Sequence, residues 1–163
     1  MVLSKHKKTK IRGVAAVEFA LVFPVLFLML YGLLTYSLIF AMQHSLSLAA
    51  AEGGRAAVRF IMEKDDIEAR RGAACEQIQE SLSWLRQIVG GFSCPGNGGG
   101  GNGLTVKVDP TTCPGSNSPQ SSNLKCLDIR LIYAYGAHPL IPKLLPVPEN
   151  LTASSFTQIA LSY

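Results

Sequence analysis

The sequence predicts an α+β protein, with a long N-terminal transmembrane helix followed by a small domain that holds a second helix and a short antiparallel sheet. Three observations lead to this fold class. An apolar run from Val14 to Met42 is long enough to cross a bilayer. The stretch after Asp65 carries apolar residues at three- and four-residue spacing, which is the period of a helix. Three later stretches favour strands and are separated by turn-forming residues.

The N-terminal tail is basic, and its charge dominates the composition. No acidic residue precedes Glu18, whereas the first dozen residues include Lys5, Lys7, Lys8, Lys10 and Arg12. The remainder of the chain is close to neutral, so the pI of about 9.0 reflects the tail and not a basic domain. Nucleic-acid binding therefore loses its main support. Lys and Arg accumulate on the cytoplasmic side of membrane segments, so we expect the C-terminal domain on the periplasmic side.

The apolar run could be a secretory signal peptide, an uncleaved signal anchor, or an anchor in which Glu18 has a function. A signal peptide is disfavoured, because Phe19 to Met42 has the length of a spanning helix and exceeds the apolar core of an ordinary signal peptide. An uncleaved signal anchor explains the tail and the apolar run. It leaves Glu18 unexplained, because a carboxylate costs a few kcal/mol deep in a membrane and is by default a functional residue.

The first helix is expected to continue beyond the membrane to about Met62, which gives a helix over residues 14–62 and a C-terminal domain over residues 63–163. Alanines favour helix from Gln43 to Arg59, and the pair Gly53-Gly54 predicts a kink there. Pro24 removes one backbone hydrogen bond within the membrane and predicts a bend.

The C-terminal domain is expected to contain one helix and three strands. The helix runs from Asp66 to about Ile88, and the glycine-rich stretch 90–103 that follows lacks the Gly-Lys-Ser/Thr ending of a phosphate-binding loop. The predicted strands are Leu104–Asp109, Leu127–Tyr135 and Phe156–Tyr163.

The four cysteines are Cys75, Cys94, Cys113 and Cys126. Their even number and the expected compartment favour disulfides, and their wide spacing lacks the close pairs of a zinc site. Three full pairings are open, and the sequence does not choose among them. A bridge between Cys94 and Cys113 would staple the first strand and its loop.

The octapeptide from Arg12 to Phe19 reads RGVAAVEF, and it opens the apolar run directly after the basic tail. Here the chain resembles the type IV prepilins, and most closely the TadE-like pseudopilins of tight-adherence (Tad/Flp) pili. The alanine-rich stretch from Ala49 to Ala57 is similar to the end of the N-terminal helix in that family. The stretch from Tyr133 to Leu140 resembles the distal part of the family.

The resemblance implies a processing site and an assembly site. In this family a membrane peptidase removes a short basic leader after a glycine, which here makes residues 1–13 the leader and places the cleavage between Gly13 and Val14. The mature chain carries Glu at its fifth position followed by an aromatic residue, which here are Glu18 and Phe19. The resemblance implies that Glu18 pairs with the new α-amine of a neighbouring subunit and sets the axial register of packing.

The function implied is that of a minor pilin or pseudopilin in the inner membrane, which enters the fibre or assists its assembly. Its partners would be the prepilin peptidase, other pilin subunits, the assembly platform proteins and membrane lipid, with no nucleic acid, metal or cofactor. The alternative is an unprocessed bitopic protein that presents a periplasmic binding domain; a secreted enzyme or inhibitor is a third class. His6, His44 and His138 lie far apart in the sequence without a catalytic signature, so we expect no enzyme activity.

Overall fold

The computed structural model describes residues 12–59, 67–89, 91, 92, 94, 103–113 and 124–160. It confirms the α+β prediction. The elements in chain order are α1 (Arg12–Val58), α2 (Ile67–Ser81), α3 (Ser83–Val89), β1 (Leu104–Thr111), β2 (Leu124–Tyr133) and β3 (Leu151–Ala160). The chain divides into two compact units at Leu38 and Ile39.

The first unit contains the N-terminal half of α1. Among the described residues, α1 from Gly13 onward is one helix whose length and apolar composition suffice to cross a membrane. Pro24 lies inside it, and the helix continues through the proline. The Oγ1 atom of Thr35 donates a hydrogen bond to the carbonyl of Tyr31, at 2.8 Å. The hydroxyl is thus satisfied within the helix, as an apolar environment requires.

The second unit contains the C-terminal half of α1, which buries one face. The buried positions recur every three or four residues: Ile39, Met42, Leu46, Ala49, Ala50, Gly53, Gly54, Ala56 and Ala57. This is the stripe expected of a helix that packs on one side. Because most of its later members are Ala or Gly, α1 can approach neighbouring elements closely. α1 ends at Val58, four residues before the predicted end at Met62, and residues 60–62 lie outside the described residues.

The sheet is antiparallel with the strand order β1-β2-β3. In its register Val106 pairs with Leu131, which pairs with Ala153 on β3, and all three side chains are buried. The neighbouring row consists of Lys107, Arg130 and Ser154, which are exposed. One face of the sheet therefore belongs to the core, and the other is an outer face in contact with solvent.

The second predicted helix is interrupted once. α2 ends at Ser81 and α3 begins at Ser83, with a turn at Leu82. The Leu82 amide still donates to the Ile78 carbonyl at 3.0 Å, so the break is slight. Leu82 and Leu85 are both fully buried, and the turn lets both side chains enter the core.

Each of the three strands differs from its prediction in at least one boundary. β1 ends at Thr111 instead of Asp109. β2 begins at Leu124 and ends at Tyr133, and β3 begins at Leu151, five residues before the predicted start at Phe156. The early part of β3 was missed because Ser155 lies at a core-facing position opposite Ile129, where the sequence pattern demands an apolar residue. The last predicted positions, residues 161–163, lie outside the described residues.

Two pairs of cysteines lie at disulfide-bonding distance. Cys75 pairs with Cys94, with Cα atoms 5.5 Å apart, and Cys113 pairs with Cys126, with Cα atoms 5.1 Å apart. The bridge between Cys94 and Cys113 that the sequence analysis considered is therefore not formed. The register places Cys126 opposite Thr111, the last residue of β1. Cys113 follows Thr111 by two residues and is therefore close to Cys126. Cys94 instead returns to α2.

Candidate assembly surface on the N-terminal helix

The predicted processing site lies in the first turn of α1. The helix begins at Arg12, so Gly13 and Val14 are its next residues. Glycine has a low helix propensity, so Gly13 lowers the local stability of this part of α1. A Cβ atom added at Gly13 would meet no atom within 4 Å.

Glu18 lies in the second turn of α1 and is exposed. The residues one turn before and one turn after it are Val14 and Val22, which are also exposed. Glu18 is the only acidic residue between Gly13 and Met42 in the sequence. The structure thus places a single carboxylate on an apolar helix surface. Such a carboxylate needs a cationic partner if the surface becomes desolvated.

An aromatic row extends along α1 from Phe19. The rings of Phe19, Phe23, Phe27 and Tyr31 follow one another at four-residue spacing, with successive centroids 5.3, 6.1 and 6.2 Å apart. The first three are 65%, 49% and 49% exposed. The family resemblance points only to Phe19, although the four-residue spacing of all four rings is visible in the sequence. The aromatic row is a stiff ridge that another helix can pack against.

α1 continues as helix through Gly53 and Gly54, where a kink was predicted. Their role is close packing. A Cβ atom added at Gly53 would lie 2.7 Å from Cγ1 of Ile78 on α2. A Cβ atom added at Gly54 would lie 2.6 Å from Oγ1 of Thr157 on β3. α1 is thus held between α2 on one side and β3 on the other.

Two hydrogen bonds connect the C-terminal half of α1 to its neighbours, one to β3 and one to α2. Nε2 of Gln43 donates to the Thr152 carbonyl on β3 at 2.6 Å. Nη1 of the buried Arg70 on α2 donates to the Ala57 carbonyl at 2.9 Å. Ala57 is in the last turn of α1, where carbonyls lack donor partners within the helix and a positive charge is favourable.

The outer face of the sheet carries one of the ion pairs of the described residues. Arg130 forms an ion pair with Asp128 at 2.7 Å, and the hydrogen bond and charge of Asp128 raise the pKa of Arg130. A shallow cavity of about 530 Å³ adjoins this pair and is lined also by Phe156. At the end of the sheet, burial and then the neighbouring Tyr135 raise the pKa of Tyr133. Its hydroxyl donates to the His138 carbonyl at 2.6 Å.

No metal site is present among the described residues, since they contain no group of three or more His, Cys, Asp and Glu residues placed to hold an ion. The cysteines are brought together in pairs, whereas Gly13, Val14, Glu18 and Phe19 occupy the first two turns of α1.

The comparisons with known proteins bear on this helix. Residues 13–55 match the model of the family described as TadE-like protein. The match begins at Gly13 and includes Glu18 and the aromatic row, so the resemblance seen in the octapeptide is confirmed over this segment. The match does not extend to the stretch from Tyr133 to Leu140.

A search of curated proteins found no match. A search of solved structures likewise found none. The C-terminal domain is therefore interpreted from its own residues.

Proposed function

We propose that the chain is a minor pilin or pseudopilin of a Tad-type pilus, which α1 anchors in the inner membrane before assembly. The observation that carries this proposal is the lone carboxylate of Glu18 on an exposed apolar helix, within the segment that matches the TadE-like model. An exposed apolar surface of this length needs lipid or neighbouring helices to cover it. Lipid would cover this surface while α1 is a membrane anchor, and the helices of other pilins would cover it after assembly.

Residues 1–13 are the proposed leader, which the prepilin peptidase removes between Gly13 and Val14. The remaining divisions are the helix over residues 14–62 and the domain over residues 63–163. Cleavage creates an α-amine at Val14 in an apolar setting. The carboxylate of Glu18 on a neighbouring subunit compensates this charge, which fixes how far one helix is shifted along the next.

The proposed topology places the basic tail in the cytoplasm and the domain in the periplasm. The basic tail supports this orientation because Lys and Arg accumulate on the cytoplasmic side. The pairing of all four cysteines also supports it, because disulfides persist in the periplasm and are rare in the cytoplasm. The proposed partners are the prepilin peptidase, the other pilin subunits, the assembly platform and the surrounding lipid.

Two substitutions test the processing and assembly steps separately. Gly13→Val should leave the leader attached, because a β-branched side chain then occupies the position before the scissile bond. Glu18→Ala should be processed normally, so it serves as the processing control. It should nevertheless reduce the amount of assembled fibre at least about tenfold, since one α-amine per interface loses its partner.

A neighbouring substitution serves as the assembly control. Val17→Ala alters an exposed apolar side chain next to Glu18 and should assemble as the wild type does. Normal removal of the leader from Gly13→Val would contradict the processing site. If Glu18→Ala assembles as much fibre as Val17→Ala, Glu18 has no role in assembly, and an unprocessed anchor with a binding domain becomes the better interpretation.

A further inference from the structure

The hydrophobic core of the second unit includes the last turn of the apolar run of α1. Met42, the final residue of that run, is 1% exposed, and Ile39, one turn before it, is also buried. Both belong to the same hydrophobic cluster as the sheet. Phe40 lies between them on another face of the helix and is 74% exposed. These residues therefore belong both to the apolar run and to the second compact unit.

β3 runs along this part of α1 in the same direction. Nε2 of Gln43 donates to the Thr152 carbonyl, and a Cβ atom added at Gly54 would contact Oγ1 of Thr157. These two points of contact are about 16 Å apart along the helix and about 17 Å apart along the strand, from the rise per residue of each. Because the two distances agree, the start of β3 is level with the end of the apolar run.

The β2–β3 loop, residues 134–150, leaves the sheet at this same end. Tyr133, the last residue of β2, pairs with Leu151, the first residue of β3. The Gly136 amide donates to the Glu149 carbonyl at 2.8 Å, which holds the two ends of the loop together. The structure describes the loop throughout, and it contains no helix or strand. Loops of more than about 12–15 residues without such elements are uncommon in compact domains and are usually functional.

The β2–β3 loop covers the end of the core and turns one apolar side chain away from it. Leu140 and Val147 pack against the hydrophobic cluster that contains Met42. Leu144 lies midway between them in sequence and is 62% exposed. This is the highest exposure of any large apolar side chain that the structure describes outside α1. The loop therefore presents Leu144 outward while its flanks hold it to the domain.

The composition of the loop suits the surface of a lipid bilayer. Residues 139–148 read PLIPKLLPVP and include five Leu, Ile and Val residues. Lys143 is the only charged residue among them, and it is exposed. Apolar side chains beside a basic residue bind at membrane interfaces, because the apolar groups enter the acyl boundary while the cation stays among the phosphates. The four prolines restrict the backbone, which lowers the entropy lost on binding.

We propose that residues 139–148 insert into the surface of the bilayer that α1 spans, with Leu144 as the side chain that enters it. The occupant is lipid, because the loop is level with Phe40, an exposed residue of the apolar run that lipid covers in the anchored chain. The domain is then held at the membrane by the loop as well as by the helix. This inference rests on the proposed anchoring of α1 and goes beyond it, because anchoring alone leaves Leu144 in water.

The test places the full chain, one copy to each particle, in lipid nanodiscs of phosphatidylcholine and phosphatidylglycerol. Trp84 is the one tryptophan of the chain, so Trp84→Phe gives a background without indole emission. Leu144→Trp in this background places the reporter in the loop. The nanodiscs are prepared with and without bromine atoms on the acyl chains, which quench a nearby indole. Since each particle holds a single chain, quenching identifies lipid and neither a second copy nor another protein.

Two further tryptophan variants in the same background calibrate the measurement. Phe40→Trp reports on the helix, and brominated lipid should quench both Phe40→Trp and Leu144→Trp at least about twofold. Gln158→Trp is the control away from the membrane. Gln158 is exposed on β3, about 20 Å along the strand from Thr152, so its variant should keep its full emission.

A second measurement uses the chain without substitutions, so that no added indole contributes to membrane binding. A nitroxide on the lipid headgroup should broaden the methyl NMR signals of Leu144. The methyl signals of Leu127, which pairs with Thr157 toward the other end of β3, should stay unchanged.

The proposal is overturned if brominated lipid quenches Phe40→Trp but not Leu144→Trp, because the helix is then in the bilayer and the loop is in water. The proposed anchoring stands in that case. Equal quenching of Gln158→Trp and Leu144→Trp, or sharp Leu144 methyl signals beside the nitroxide, also overturns it. Absence of quenching in Phe40→Trp contradicts the anchoring itself, and the inference fails with it.

Discussion

The close contact of α1 with α2 at Gly53 predicts that a single methyl group there destabilises the domain. A Cβ atom at this position would lie 2.7 Å from Cγ1 and 2.8 Å from Cδ1 of Ile78. Carbon atoms in ordinary contact are about 3.5–4.0 Å apart, so each overlap is about 1 Å. Ile78 is fully buried and cannot turn toward solvent to relieve it. Overpacking of this kind costs about 1–3 kcal/mol.

A matched control isolates the packing cost. Replacing glycine by alanine in a helix also gains about 0.8–1 kcal/mol in helix propensity, wherever the glycine lies. Gly72 lies inside α2, and a Cβ atom added there would meet nothing within 4 Å. Gly72→Ala should therefore stabilise the domain. The difference in unfolding free energy between Gly72→Ala and Gly53→Ala is then the packing cost alone.

The assay is thermal unfolding of the full chain in detergent, followed by circular dichroism. A difference of about 2 kcal/mol between the two variants corresponds to roughly 5–10 °C in Tm for a domain of this size. Gly53→Ala should melt lower than Gly72→Ala by this amount. Equal melting temperatures would refute the conclusion that α1 and α2 are in close contact at Gly53, and would restore the earlier hypothesis of a flexible kink.

Three further predictions concern the C-terminal domain. Replacing Cys75 and Cys94 together by alanine should lower the unfolding free energy by about 3 kcal/mol, because the cross-link closes a loop of about 20 residues. An unchanged midpoint of urea unfolding would show that the two thiols are not bonded. Arg70→Ala should cost about 2 kcal/mol in urea unfolding through loss of the charged hydrogen bond to the Ala57 carbonyl, whereas a cost under about 0.5 kcal/mol would contradict that contact. Burial raises the pKa of Tyr133 above its ordinary value of 10.0, so the unfolded state releases this proton first and stability should fall as the pH rises above about 10. Tyr133→Phe should show a smaller loss of stability between pH 8 and pH 11, and an identical loss would assign the alkaline sensitivity to other groups.

The long helix and the strand content were predictable because each follows from a local pattern. The apolar run opens after a basic tail, and β2 alternates apolar and polar residues over most of its length. Leu127, Ile129 and Leu131 are the buried members of that alternation. Patterns of this kind predict structure well, because the residues that define them are also the residues that form the core.

The features that the sequence did not predict depend on contacts between distant parts of the chain. Gly53 and Gly54 suggested weakness in the helix, whereas their role is set by Ile78 and Thr157, which are remote in sequence. Ser155 broke the apolar alternation because it packs beneath a glycine-containing stretch of α1 and not against a large side chain. Gly54 and the hydroxyls of Ser155 and Thr157 opposite it explain each other, and neither is informative alone.

The cysteine pairing was open for the same reason. Four cysteines allow three pairings, and only the register of β1 on β2 and the return of the chain to α2 select one. The candidate assembly residues were accessible from sequence because they form a short contiguous motif. Their placement in the first two turns of α1 agrees with the motif, and their roles in processing and assembly remain predictions.

The mass of the mature protein tests the central claim most directly. The chain should be purified from the membranes of the cells that produce it, and its intact mass and N-terminal sequence determined. The account predicts that the chain begins at Val14, with residues 1–13 absent. A membrane-bound chain that still begins at Met1 would contradict it, and would make α1 a permanent anchor instead of the helix of a pilin subunit.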